Sequence, residues 1–250
     1  MVVTSPPYDC LRTYDGYVGA FDFEATAEQL WRIIKPGGVV VWIVNDATIK
    51  GDKTCTSFRQ VLHFKELGFA LYDTLIYEKA GVQFQPRGRY QSAFEYMFVL
   101  AKGRPAAVNL LKDRANKNAG KKITGTERKA DGTLRQKPAV RDGTNRVVPE
   151  TGLRTTIWRY ASGNCCGTKS RATYRHPATF PLKLAVDHIK SWSNAGDLVL
   201  DCFMGSGTTA VAALMTGRRY LGYEINPEYC AVARERIEAW RGELFAEVEL

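Results

Sequence analysis

Leu198-Val199-Leu200-Asp201-Cys202-Phe203-Met204-Gly205-Ser206-Gly207-Thr208-Thr209-Ala210 is the stretch that decides the fold. Its first three residues read as a strand, Gly205-Ser206-Gly207 as a tight turn, and the small residues from Thr208 on as a helix that stops at Gly217. A second strand, Tyr220-Leu221-Gly222-Tyr223, ends at Glu224, and Pro227 opens a last helix toward Trp240. Strands separated by helices predict parallel pairing. Just upstream, Pro181 suits the first turn of a helix carrying Leu184, Ile189 and Trp192, with Gly196-Asp197 as the turn after it.

The N-terminal segment shows the same alternation. Val2-Val3 opens as a strand, a helical stretch over 26–34 puts Leu30, Ile33 and Ile34 on one face, and Pro36-Gly37-Gly38 stops it. Val39-Val40-Val41-Trp42-Ile43-Val44 follows as a buried strand. A second helical stretch over 58–67 ends at Gly68, and the runs 70–77 and 94–100 are close enough in sequence to pair antiparallel. The fold expected is α/β, a Rossmann-like mostly parallel sheet with helices on both faces and an antiparallel edge strand pair, plus a basic insert. Residues 1–103 and 177–250 form two halves of one domain, and 104–176 the insert.

Composition sets the outer limits. A chain of 250 residues, 45% hydrophobic and 24% charged with 10 prolines, can bury one sizeable core, which excludes disorder and collagen-like repetition. No apolar run approaches the roughly 18 residues of a membrane span. Met1-Val2-Val3-Thr4-Ser5 lacks the basic and apolar regions of a secretory signal, so a cytoplasmic place is expected. The six cysteines include the adjacent pair Cys165-Cys166 but no Cys-x-x-Cys, and the three histidines are scattered, so neither a metal site nor a disulfide framework is expected. The net charge of +9 is concentrated: residues 112–146 hold eleven Lys or Arg against four Asp or Glu, among Gly120, Gly125, Gly132 and Gly143. A flexible basic insert of this kind suits a phosphate backbone.

In open α/β sheets, ligands bind beyond the carboxyl ends of strands. Ser5, Asn45-Asp46, Asp201 and Glu224 all fall at such ends, Asn45 and Asp46 reading more simply as turn or cap residues. The glycine turn followed by an acid suits an adenosine-type cofactor: glycines admit close backbone approach, and Glu224 can accept from two ribose hydroxyls. Gly205 and Gly207 are followed by Thr208, Thr209 and Ala210, so the third glycine of a dinucleotide fingerprint is missing, as is the lysine of a phosphate loop. Asp201 can instead meet a cationic amino group, which S-adenosylmethionine offers. In Thr4-Ser5-Pro6-Pro7-Tyr8, two prolines fix the backbone, the Pro6 carbonyl and Ser5 supply acceptors, and Tyr8 supplies a face for stacking a planar base.

Together the Ser-Pro-Pro-Tyr element, residues 5–8, and the later Asp201-to-Thr209 glycine turn resemble the S-adenosylmethionine-dependent DNA amino-methyltransferases, in the order of the permuted beta class. His176-Pro177-Ala178-Thr179-Phe180-Pro181 resembles the cofactor motif upstream of that turn. The resemblance implies catalysis at Ser5, Pro6, Pro7 and Tyr8. It implies cofactor binding by Thr179, Phe180, Pro181, Asp201, Phe203, Gly205, Ser206, Gly207, Thr208 and Glu224. The partner it implies is double-stranded DNA, with a base flipped out of the duplex and its exocyclic amine turned toward the sulfonium methyl. Ser5 and the His-Pro-Ala-x-Phe-Pro spelling lean toward cytosine N4 over adenine N6. Arg87, Arg89, Lys121, Lys122, Arg128 and Lys129 are the candidate nucleic-acid contacts, Arg87 and Arg89 serving equally well as caps of the strand that follows. A noncatalytic DNA-binding subunit with the same fold is the alternative. The family carries a strand and an acid ahead of the Ser-Pro-Pro-Tyr strand, whereas here only four residues precede Ser5. That departure implies a fragment, a second copy or partner supplying the missing strand, or reduced cofactor affinity.

Overall fold

The computed structural model describes residues 1–7, 21–83, 88–143, 146–161 and 180–248, with the backbone alone at 82–83, 139, 141 and 242–248. It comprises two compact units, Met1–Asn109 with Thr156–Leu250, and Leu110–Thr155. The first holds β1 (Val2–Thr4), α1 (Phe23–Ile33), β2 (Val39–Val44), β3 (Thr48–Ile49), β4 (Asp52–Lys53), α2 (Thr56–Glu66), β5 (Ala70–Gln83) and β6 (Ser92–Ala101). The second holds β7 (Arg114–Ala115), β8 (Thr126–Arg128), β9 (Leu134–Gln136), α3 (Pro138–Arg141) and β10 (Thr151–Gly152). The chain then returns to the first unit with β11 (Ile157–Tyr160), α4 (Leu182–Trp192), β12 (Leu198–Asp201), α5 (Thr208–Met215), β13 (Arg219–Gly222) and α6 (Pro227–Val248).

Seven strands form the main sheet in the order β11-β5-β6-β2-β1-β12-β13. β1 pairs parallel with both β2 and β12, and β12 with β13. β6 runs antiparallel between β2 and β5. The antiparallel pair thus lies one strand in from the edge, because β11 adds parallel outside β5, with Ile157 beside Ile76.

β2 sits at the centre and is buried along its whole length, as expected where helices cover both faces. On one face Val40, Trp42 and Val44 pack against Ala27, Leu30 and Ile34 of the α1 segment and Val61 and Phe64 of α2. Helix α1 starts where the Asp22 carboxylate accepts from the Ala25 amide at 2.9 Å, which satisfies one of the donors a helix start leaves open. The indole of Trp42 donates to the buried Gln60 amide oxygen at 2.8 Å, so its polar edge costs little. On the opposite face α4 brings His188 to 3.1 Å from the sulfur of Met97. β11 is tied to the same helix: Trp158 stacks on His188 at 4.6 Å, and the Tyr160 hydroxyl donates to Asp187 at 2.7 Å.

In the second unit β8 and β9 form a hairpin closed by Lys129 N–H donating to the Thr133 carbonyl at 2.8 Å. β7 and β10 pair antiparallel. No helix among the described residues is long and apolar enough to cross a membrane.

Candidate active site

From β1 the chain proceeds to β2 on one side, and from β12 to β13 on the other, so the order of connection reverses between β1 and β12. Such a switch point opens a crevice at the carboxyl ends of the strands, where α/β sheets bind ligands. Val2 lies beside Leu200 in the parallel register, and three residues further along each strand come Ser5 and Phe203. Two motifs almost 200 residues apart are thereby brought to one place, the separation being 197 residues for Thr4 and Asp201.

Asp201 joins them. It is 1% exposed, and its Oδ1 accepts from the Thr4 hydroxyl at 2.6 Å and the Phe203 amide at 3.1 Å, while Oδ2 accepts from the Thr209 hydroxyl at 2.7 Å. Burial pushes its carboxyl pKa up, the three donors pull it back down, and the charge of Glu224 pushes it up again. Where the sequence suggested a cationic amino group for Asp201, the fold supplies three donors of its own, from β1, the glycine turn and α5. The adjacent Cys202 thiol is pushed up to about 12, by burial first and then by Asp201. It is a neutral thiol at physiological pH and no nucleophile.

The glycine turn is braced from two sides. Glu224, half-buried after β13, accepts from the Gly205 amide at 2.8 Å through Oε2 and from the Asn226 amide at 2.9 Å through Oε1. A carboxylate offers about four lone-pair sites, so acceptor capacity remains for a ligand's hydroxyls. Gly207 has φ +80°, and a Cβ there would come within 3.0 Å of the Ala233 Cβ of α6, so only glycine serves. From α6 the guanidinium of Arg236 donates through Nη1 to the Ser206 carbonyl at 2.6 Å, to Ser206 Oγ at 2.7 Å and to Thr208 Oγ1 at 3.2 Å. Ser206 and Thr208 thus turn their side chains into the protein, 2% and 5% exposed, and Gly205 and Gly207 are buried with them.

Arg236 was missed in the sequence, although a signal exists. Tyr229, Val232, Ala233, Arg236 and Ile237 recur at helical spacing and are all buried, so an arginine on that stripe calls for a buried partner.

Of the other candidates, Ser5 and Pro7 are half-buried and Pro6 buried at the end of β1. Pro181 is buried at the N-cap of α4, with Phe180 half-buried before it. The Phe203 ring meets Phe21 edge-on at 5.1 Å and Trp42 at 6.4 Å. Tyr8, Arg87 and Thr179, with residues 176–178 of the upstream motif, lie outside the described residues. Asp46 accepts from the amide and hydroxyl of Ser57 at 2.8 and 2.9 Å, capping α2, and Asn45 donates to the Phe94 carbonyl at 3.1 Å. Arg89 is exposed and donates to the Gly51 carbonyl in the β3–β4 turn.

Lys121, Lys122, Arg128 and Lys129 belong to the Leu110–Thr155 unit and are all exposed. Three acids of that unit are engaged by arginines, Glu127 by Arg135 at 2.6 Å, Asp142 by Arg146 at 3.3 Å and Asp113 by Arg154. Lys121 and Arg128 donate to neutral acceptors instead, Asn118 Oδ1 at 3.2 Å and the Gly132 carbonyl at 3.3 Å. Among the described residues neither is paired with an acid.

This arrangement defines an α/β fold with its ligand crevice at the switch point between β1 and β12. Over residues 1–235 the sequence matches the DNA methylase family, and the chain belongs to it. The orphan methyltransferase M.BamHII of Bacillus amyloliquefaciens is 52% identical over 240 residues, covering 95% of this chain and 88% of that protein. A putative DNA modification methylase from Thermus thermophilus, solved in complex with S-adenosyl-L-methionine, is similar with a TM-score of 0.59 at 24% identity, covering 96% of this chain and 85% of that one. PvuII DNA methyltransferase, cytosine-N4-specific, is similar with a TM-score of 0.60 at 19% identity, covering 96% of this chain and 83% of that one. At these identities the two structures speak for the fold. The protein is an S-adenosylmethionine-dependent DNA amino-methyltransferase.

The residues present fit that cofactor. The turn of Gly205, Ser206 and Gly207 sets no bulky side chain at the strand ends, and Glu224 keeps acceptor capacity beside it. The bonds of Thr4 and Thr209 to Asp201 fix the turn against the strand that carries Ser5.

Proposed function

We propose that the protein methylates cytosine at its exocyclic N4 in a specific sequence of double-stranded DNA. The observation that carries this reading is the Val2–Leu200 register, which sets the Ser5-Pro6 acceptors beside the glycine turn. When bound, S-adenosylmethionine supplies an electrophilic methyl on a positively charged sulfur. An exocyclic amine is a poor nucleophile because its lone pair is delocalised into the ring. Hydrogen bonds from the amine to Ser5 and the Pro6 carbonyl favour a pyramidal nitrogen and aim its lone pair. Nitrogen–carbon bond formation then accompanies sulfur–carbon cleavage, and the amine proton leaves to solvent. Ser5, a hydroxyl rather than a carboxylate, positions and polarises and is no strong base.

Glu224 receives the ribose hydroxyls, with Phe180, Pro181 and Phe203 forming apolar contacts, and Tyr8 stacks on the flipped base. The Leu110–Thr155 unit supplies phosphate contacts through Lys121, Lys122, Arg128 and Lys129, supported by the exposure of all four. Arg89 adds another beside the β3–β4 turn.

The test is to incubate the protein with methyl-labelled S-adenosylmethionine and mixed-sequence duplex DNA, digest the DNA and identify the labelled nucleoside. N4-methylcytosine is expected. N6-methyladenine would overturn the choice of base, and labelled 5-methylcytosine would overturn the roles given to Ser5 and Pro6.

A further inference from the structure

We infer that Arg236 is a positioning residue for the cofactor, setting the affinity for S-adenosylmethionine from behind the glycine turn without taking part in methyl transfer. It rests on the glycine turn being the cofactor's seat and not on the choice of base. Three observations carry it. Arg236 is only 7% exposed, an expensive place for a guanidinium, and burial lowers its pKa. The acceptors it meets, the Ser206 carbonyl and the Ser206 and Thr208 hydroxyls, all belong to one turn and are all neutral. The helix that carries it also closes on the turn at Ala233 against Gly207.

A buried cation bonded, among the described residues, to neutral acceptors of one turn constrains that turn more than it gains in ion pairing. With Ser206 and Thr208 held inward by Arg236 and Gly205 held by Glu224, both ends of the turn are pinned before any ligand arrives. Preorganisation of this kind lowers the ordering cost of binding. The positive charge also stands beside the N-terminal end of α5, which begins at Thr208. The helix dipole has the same sign there, so both favour an anionic group such as the cofactor's amino-acid carboxylate. All three bonds leave from one nitrogen, Nη1, so lysine keeps the charge and restores part of the set where its ammonium reaches the same place.

The experiment measures S-adenosylmethionine affinity by calorimetry without DNA, beside the single-turnover transfer rate at saturating cofactor and DNA. Arg236→Met should weaken cofactor binding about tenfold or more while the saturated transfer rate stays within about threefold, and Arg236→Lys should recover part of the affinity. A folded Arg236→Met that binds the cofactor like the parent overturns the inference. So does a loss of saturated rate as large as the loss of affinity. Should Arg236→Met fail to fold, Arg236→Lys is compared with Arg236→Gln: tighter binding by the lysine variant supports the inference and equal binding overturns it. A parent that does not bind S-adenosylmethionine at all would instead refute the cofactor seat itself.

Discussion

Asp201 shows how a single residue can be placed at a strand end by sequence while the protein groups that hold it stay hidden. Its position at a strand end before a glycine turn was legible from the pattern alone. Its partners were not, because Thr4 lies 197 residues away and only the strand order brings the two together. The consequence is measurable as a pH dependence. Burial raises the carboxyl pKa above its unfolded value, near 3.9, so the native state favours the protonated form more than the unfolded chain does. That stabilisation is complete below the unfolded value and is lost as pH rises through the raised native value. Thermal melting of the parent and of Asp201→Asn across pH should therefore show the difference moving in the parent's favour as pH falls from neutral toward about 4. A difference independent of pH would mean that the donors from Thr4, Phe203 and Thr209 offset the burial completely. Arg236 was open to the opposite reading: the helical stripe of Tyr229, Val232, Ala233 and Ile237 marks its position as buried, and what it holds follows only from the turn packed against it.

At the scale of elements, those with strong local patterns were legible nearly to the residue. β2 spans Val39–Val44 and α5 spans Thr208–Met215 as the valine run and the small-residue helix imply. Elements that depend on a distant partner were not legible. β11 has four residues and exists through its pairing with β5 and its anchoring to α4. β5 continues to Gln83, beyond the apolar run, because β6 accompanies it across a register shift between Glu78 and Gln83. The basic stretch, read as a flexible insert, contains the β8–β9 hairpin, with Arg128 at the end of β8 and Lys129 beginning the turn. Replacing Lys121, Lys122, Arg128 and Lys129 by glutamine should weaken DNA binding similarly for all sequences. If all four meet phosphates, the slope of log affinity against log salt should fall by about 3 to 4, near 0.9 per contact. Binding measured from low to moderate salt decides it, and an unchanged slope would remove these residues from the DNA interface.

At the scale of the whole molecule, the order of the motifs matters more than any one of them. The Ser-Pro-Pro strand comes early in the chain and the glycine turn late, yet β1 and β12 are adjacent parallel strands of one sheet. A sheet of this topology has its ligand crevice where the order reverses, so the permuted order and the shared site are two aspects of one arrangement. The central claim is that Ser5, at the end of β1, acts on the acceptor amine while the elements across the switch point hold the cofactor. The most direct measurement is single-turnover methyl transfer by Ser5→Ala at saturating S-adenosylmethionine and DNA, with cofactor affinity determined on the same preparation. Loss of one preorganised acceptor should lower the transfer rate about a hundredfold or more, a few kcal/mol in the barrier, with cofactor affinity within about threefold of the parent. Full transfer rate in Ser5→Ala, or a loss that appears in cofactor affinity alone, would contradict the division of labour across the switch point.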